Sequence, residues 1–229
     1  MSTPAAIPTK FSSSGPVVAH HFEDWEQQYD SCVLGMWTFL VSEVMFFGGA
    51  FTTYMVYRWS YPEAFAHASQ HLDIYWGTFN TFVLLTSSLT MALAVRAAHL
   101  SQSRTAGLFI IATILLGAAF LGIKFYEYYH KYEEGLMPVF GMPFNFEGPS
   151  EQRGPTQLFY GLYFAMTGIH AVHMIIGIVI MLLFIPPAFR GAYSSGNSLR
   201  VEIMGLYWHF VDLVWIFLFP LLYLIDRAT

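Results

Sequence analysis

Apolar positions in this chain gather into long unbroken stretches, separated by short polar joints. A helix that crosses the hydrocarbon of a bilayer needs about 20 mainly apolar residues. Five runs qualify: 33–57, 76–95, 106–126, 158–185 and 201–225. They are continuously apolar rather than alternating, which predicts helices and argues against the strands of a barrel. The expected fold is all-α, an integral membrane bundle of five transmembrane helices over 31–229. A polar N-terminal tail and interfacial segment, 1–30, precedes it. The joints are short except "KYEEGLMPVFGMPFNFEGPSEQRGPTQ" (131–157), whose Gly and Pro content predicts an ordered surface loop. No internal repeat is visible.

Composition extends the bilayer reading to the whole chain. Of its 229 residues 55% are hydrophobic and 11% charged, where a soluble domain carries about a quarter charged. A net charge of −5 with no basic block excludes a nucleic-acid partner. The single cysteine, Cys32, excludes an internal disulfide, a CxxCH haem attachment, a paired-cysteine copper site and a cysteine-held iron–sulfur cluster. Residues 1–30 contain no apolar core of a secretory leader. Five spans put the termini on opposite sides, and the basic residues then divide evenly. Lys10, Arg96, Arg104, Arg190 and Arg200 face Arg58, Lys124, Lys131, Arg153 and Arg227. The two short loops bearing Arg96/Arg104 and Arg190/Arg200 lean toward a cytoplasmic N-terminus.

Against this background the polar groups inside the apolar runs carry the chemistry, because charge at bilayer depth is costly and turns toward protein or water. In the fifth run Glu202 and His209 are seven apart and His209 and Asp212 three apart, so they share a face that should look inward. A structural hydrogen-bond network is the reading preferred over a catalytic dyad, since no nucleophile accompanies them. His170 and His173, in "TGIHAVHMIIG", have a spacing able to ligate a metal, with His209 as a third candidate. A histidine pair bonded to backbone or carboxylates is preferred. Gly161, Ala165, Gly168 and Gly177 on the same run allow close helix approach. In the second run Asn80 and Ser87, and Thr81 and Ser88, form a small polar stripe suited to interhelical glue. Glu43 is the sharpest signal. In "TFLVSEVMFFGGAF" its helical neighbours are Met36, Phe39, Leu40, Phe46, Phe47 and Ala50, and no basic residue on its helix can neutralise it. It is either a neutral hydrogen-bond donor or a group that exchanges protons with a partner subunit or water.

Together these stretches resemble subunit III of the haem–copper respiratory oxidases. "YWHFVDLVWIFLFPLLYL", with Glu202 seven residues before His209, is similar to that family's last helix. "FYGLYFAMTGIHAVHMIIG" resembles its TGxHxxH helix, "SEVMFFGGAF" its SEVxFFxxxF helix, "FNTFVLLTSSLT" its NTxxLLxSS segment and "GIKFYEYYHKYEEG" its tyrosine- and glutamate-rich exit. The order agrees from about Tyr29 onward. The long family members have two further helices before the SEVxFF helix, where this chain has a polar tail; it is similar to the short bacterial form. In the long form those two helices help to make a cleft that holds phospholipid. Here the cleft needs a wall from another subunit.

The resemblance implies a chain without catalytic residues, metal or haem of its own, docked on subunit I beside subunit II, whose haem and copper do the chemistry. It implies a role in proton uptake, in which the buried acids Glu43 and Glu202 are the candidates, and in stabilising the catalytic subunit. His170, His173, His209 and Asp212 are then a buried polar network. The location implied is the bacterial cytoplasmic membrane, with a cytoplasmic N-terminus and a periplasmic C-terminus, and a larger respiratory supercomplex is a further partner it allows. Cytochrome c is the preferred electron donor, because SEV is what the cytochrome c oxidases resemble. A quinol oxidase is the alternative, and an accessory subunit linked to nitric oxide reductase a third. From another class, an autonomous proton-coupled transporter would use Glu43 and the fifth-run acids itself, but the absence of repeats argues against it.

Overall fold

A computed structural model describes residues 22–138, 144–145, 149–193 and 198–224. Residues 1–21 of the tail and interfacial segment expected over 1–30, and parts of the 131–157 loop, lie outside the described residues. Helix α1 (Trp25–Ser60) begins eight residues before Val33, because the Asp24 carboxylate caps it by accepting the Gln27 N–H at 2.7 Å. A short α2 (Pro62–Gln70) opens on proline, which suits a first helical position. The other long helices are α3 (Ile74–His99), α4 (Ser103–Glu133), α5 (Arg153–Phe189) and α6 (Leu199–Phe219). A 3₁₀ turn (Ser150–Gln152) leads into α5, and a π turn (Pro220–Leu224) extends α6. Five helices are long and apolar enough to cross a membrane, and no strand occurs among the described residues. The chain is an all-α, multi-pass membrane bundle.

Helices α3 and α4 form a hairpin, tightened by Ser101 in the left-handed region at φ 58. Helix α4 packs on α5, and α6 lies against α3, α5 and α1. The far end of α5 is clipped to the start of α4. Ser103 Oγ donates to the Ala188 carbonyl at 2.7 Å and accepts the Tyr193 N–H at 3.2 Å. Tyr193 donates to the Phe184 carbonyl at 3.0 Å, and burial pushes its hydroxyl up to about 12, so it remains a neutral donor. Burial is uneven. Helix α6 buries 61% of its apolar window inside the chain, α1 only 11%. The side chains α1 does bury, Leu40, Phe47 and Tyr54, lie seven apart on one stripe.

Trp208 sits at the centre of the bundle, held between two glycines. A Cβ added at Gly117 on α4 would come within 2.8 Å of the indole, and one at Gly177 on α5 within 2.9 Å. Close helix approach through α5 therefore rests on Gly177. Added Cβ atoms at Gly161 and Gly168 would meet nothing within 4 Å. Replacing Gly177 with Leu should lower stability by about 1–3 kcal/mol through overpacking, whereas Gly168→Ala should leave it near wild type. Thermal unfolding of the two purified variants in one detergent checks this.

Candidate functional site

Every long helix contributes polar side chains to the interior, and three bonds tie α6 to α3. Trp208 Nε1 donates to Ser87 Oγ at 3.0 Å, and Trp215 Nε1 to Thr81 Oγ1 at 3.1 Å. Between them the Ser88 hydroxyl and His209 Nδ1 are hydrogen-bonded at 2.7 Å. The partner of His209 is thus a serine on α3, not a carboxylate of its own helix. Asp212 is buried, and neither carboxylate oxygen has a well-formed hydrogen bond among the described residues. The Ser88 hydroxyl, already engaged by His209, is the polar group that interacts with it. Asn80 is fully buried, and its amide is likewise without a partner among the described residues.

Glu202 falls in the first turn of α6, where the helix dipole favours an acid. Ser198 Oγ donates to its Oε1 at 2.6 Å, and His99 Nε2 of α3 lies 3.3 Å away. Glu202 therefore belongs to a partly exposed cluster at one end of the bundle, apart from His209 and Asp212.

Glu43 has a partner, and it comes from another helix. Its Oε2 lies 3.2 Å from His173 Nε2 on α5. The other ring nitrogen, Nδ1, is 2.9 Å from the Ile169 carbonyl oxygen. A carbonyl only accepts, so Nδ1 carries a hydrogen. With Nδ1 protonated, the short Nε2–Oε2 contact contains one proton, either on the carboxyl or on the imidazole. Both arrangements leave the pair with no net charge.

His170 does not join this pair. It is 1% exposed, its ring packs against Phe120 and Trp215, and neither nitrogen has a hydrogen-bond partner among the described residues. The histidines of "TGIHAVH" point into different surroundings, one toward α1 and one toward the aromatic centre. Among the described residues no three His, Cys, Asp or Glu side chains converge as a metal site requires.

A further cluster escaped the sequence reading, which took "GIKFYEYYHKYEEG" only as a tyrosine- and glutamate-rich exit. Lys124 is 3% exposed and Glu127 8%. Lys124 Nζ donates to Glu127 Oε2 at 2.7 Å and to the Tyr223 hydroxyl at 2.7 Å. Glu127 Oε1 accepts from Tyr163 at 2.9 Å and from Tyr223 at 2.5 Å. The ammonium also stands 4.6 Å from the Trp215 ring centroid, where the ring face attracts a cation. The available signal was the i, i+3 Lys–Glu pair on an apolar helix, with tyrosines on two other helices to complete it. Breaking the pair should cost more than removing it. Lys124→Met leaves a buried carboxylate without its cation, a loss of about 3–5 kcal/mol, while Lys124→Met with Glu127→Leu should recover most of that loss. Thermal unfolding of both variants in detergent checks the order. A double variant no more stable than the single one would show that the tyrosines require the carboxylate.

Comparison with known proteins places this arrangement. The model of the family described as cytochrome c oxidase subunit III matches residues 156–226, the stretch of α5 and α6 that holds His170, His173, His209 and Asp212. The chain is 31% identical to the probable quinol oxidase subunit 3 of Staphylococcus saprophyticus, over 85% of this chain and 89% of that protein. It is 32% identical to cytochrome c oxidase subunit 3 of Thermostichus vulcanus, over 86% and 89% of the two chains. With the cytochrome bo(3) ubiquinol oxidase subunit 3 of Pseudomonas aeruginosa it shares 28% identity over 98% of each chain. Five spanning helices, the buried polar groups on them and these likenesses along most of the sequence agree: the chain belongs to the subunit III family of haem–copper terminal oxidases.

Proposed function

We propose that this subunit holds no redox centre of its own and supports proton uptake by, and the stability of, a catalytic subunit I that carries haem and copper. The observation behind this reading is the 3.2 Å contact of Glu43 with His173, which sets two groups able to exchange a proton between α1 and α5. Neither member is sealed off, at 18% and 16% side-chain exposure. A second titratable pair, Glu202 with His99, stands at the end of the bundle that the basic loops would turn to the cytoplasm. The chain then lies in a bacterial cytoplasmic membrane, N-terminus inside and C-terminus in the periplasm. Along α1 a bare apolar face is available to subunit I, to subunit II or to phospholipid, and another subunit would supply the missing wall of a lipid cleft.

For the electron donor, cytochrome c is our first reading, carried by the SEV motif of α1. The ubiquinol oxidase relative, similar over nearly the whole chain, favours quinol as the second reading. Oxygen uptake by the purified complex with reduced cytochrome c, then with ubiquinol, separates them.

The proton role has its own test. Glutamine keeps the shape and hydrogen bonding of Glu43 but does not titrate. Glu43→Gln should assemble, begin turnover at the wild-type rate, and then lose activity faster than wild type at alkaline pH, where protons are scarcest. Oxygen consumption followed over many turnovers from about pH 6 to about pH 9 reads this directly. His173→Gln should reproduce the defect, and the double variant should be no worse, because the two side chains act as a unit. Superimposed wild-type and variant curves would leave the pair a structural hydrogen bond.

A further inference from the structure

Helix α2 carries two histidines four positions apart, in "HASQH" (67–71), a spacing that sets both side chains on one helical face. A helical pair of this spacing is able to hold a divalent metal from one side. The buried side of α2 keeps the helix in place. Phe65 is fully buried, its ring centroid 5.5 Å from that of Tyr54 and 5.4 Å from that of Phe159. At the end of the helix Lys131 Nζ donates to the His71 carbonyl at 3.1 Å. His67 and His71 themselves are exposed, on the wall of a cavity between α2, the end of α4 and the start of α5.

Two features of the pair point to a ligand. The ring centroids lie 4.8 Å apart. Zinc stands about 2.0–2.1 Å from an imidazole nitrogen, hence roughly 3.2 Å from the ring centroid. Bond angles at the ion of about 90–110° then put two centroids roughly 4.5–5.2 Å apart, a range that contains the observed spacing. The second feature is the orientation of His71. Its Nδ1 is 2.9 Å from the His67 carbonyl oxygen, so in the neutral ring Nδ1 carries the hydrogen and Nε2 keeps its lone pair. A far N–H held by a backbone carbonyl is a usual arrangement of a metal-bound imidazole.

The neighbouring charges are engaged elsewhere. Glu134 meets Lys131 at 2.6 Å and His130 at 2.9 Å, and Arg153 donates to the Phe144 carbonyl at 3.3 Å. No third His, Cys, Asp or Glu joins the pair among the described residues, so the arrangement is an open chelate rather than a closed metal centre. We propose that His67 and His71 form a binding site for a divalent cation of the zinc class, each giving one ring nitrogen, with water in the remaining positions. Imidazole suits zinc, copper and nickel, whereas magnesium and calcium prefer oxygen. The site lies outside the five apolar spans and depends on neither the electron donor nor the Glu43–His173 contact.

The test uses the whole purified oxidase complex, freed of loose metal and dialysed against buffers of graded free zinc with magnesium in excess. Elemental mass spectrometry counts the zinc held per complex. Wild type should hold one zinc more than His67→Gln or His71→Gln at the lowest concentrations that fill the site. Each variant should weaken that site at least about tenfold, since even an outer partner of a ligand is worth that much. Both positions are exposed, so neither change disturbs the core. His130→Gln should retain the zinc, and Arg153→Gln should hold it at least as firmly, because a positive charge leaves the cavity. Lowering the pH should release it, as protons compete for the imidazoles. Identical zinc titrations for wild type and both variants would overturn the proposal. So would a loss in His130→Gln as large as in His67→Gln, which would move the ion to the end of α4.

Discussion

The antiparallel seam between α3 and α6 is the constraint on which the bundle depends. Trp208 to Ser87, His209 to Ser88 and Trp215 to Thr81 are three side-chain bonds set at helical spacing along two apolar rods. Sliding one helix by a residue would break all three together, with no water in the hydrocarbon to replace them. Apolar packing alone discriminates poorly between such registers, because lipid tails are as apolar as leucine. The seam therefore decides which side chains of α6 face α5 and α4. In that register the Trp208 indole fits between Gly117 and Gly177, and Tyr223 reaches Lys124 and Glu127.

The interior shows two ways of keeping ionisable groups in an apolar setting. Glu43 and His173 stand within reach of sharing one proton, an arrangement with no net charge on either side of the contact. Lys124 and Glu127 instead surround their polar ends, the carboxyl with three donors and the amine with a hydroxyl, the carboxyl and an aromatic face. The first arrangement allows a proton to pass between carboxyl and imidazole with no change in net charge. The second is tied by four hydrogen bonds, and neutralising one member alone leaves its partner charged and buried. This contrast, rather than depth alone, separates the group suited to proton exchange from the group suited to fixing structure.

Much of the fold was legible in the sequence because hydrocarbon allows so few alternatives: runs of the right length had to be helices. Helix ends were less legible. Asp24 extended α1 outward through a cap, and α5 began at Arg153 on the back of a 3₁₀ turn, both local features that hydropathy does not weigh. The candidate site was legible residue by residue but not in its pairings. Glu43 and His173 were each singled out, yet they lie 130 positions apart and nothing in either segment states that α1 and α5 meet there. Spacing on one helix suggested that His209 would bond Asp212 and that His170 and His173 would act together. A shared face did not become a shared bond, because the neighbouring helix offered a nearer hydroxyl to His209 and a carboxylate to His173. Lys124 was hidden for a different reason: it stands next to a tyrosine-rich string that looks interfacial.

The thin attachment of α1 gives this chain an unfinished border. Its long apolar helix is anchored by a single stripe of buried residues and one shared proton, while most of its circumference is left to whatever lies outside the chain. Such a helix takes much of its position from its surroundings, as a hem does at the edge of the cloth formed by α3 to α6. The separation between Glu43 and His173 then registers how firmly that hem is pressed inward. Whatever packs along the bare face of α1 therefore bears on that separation from outside the chain.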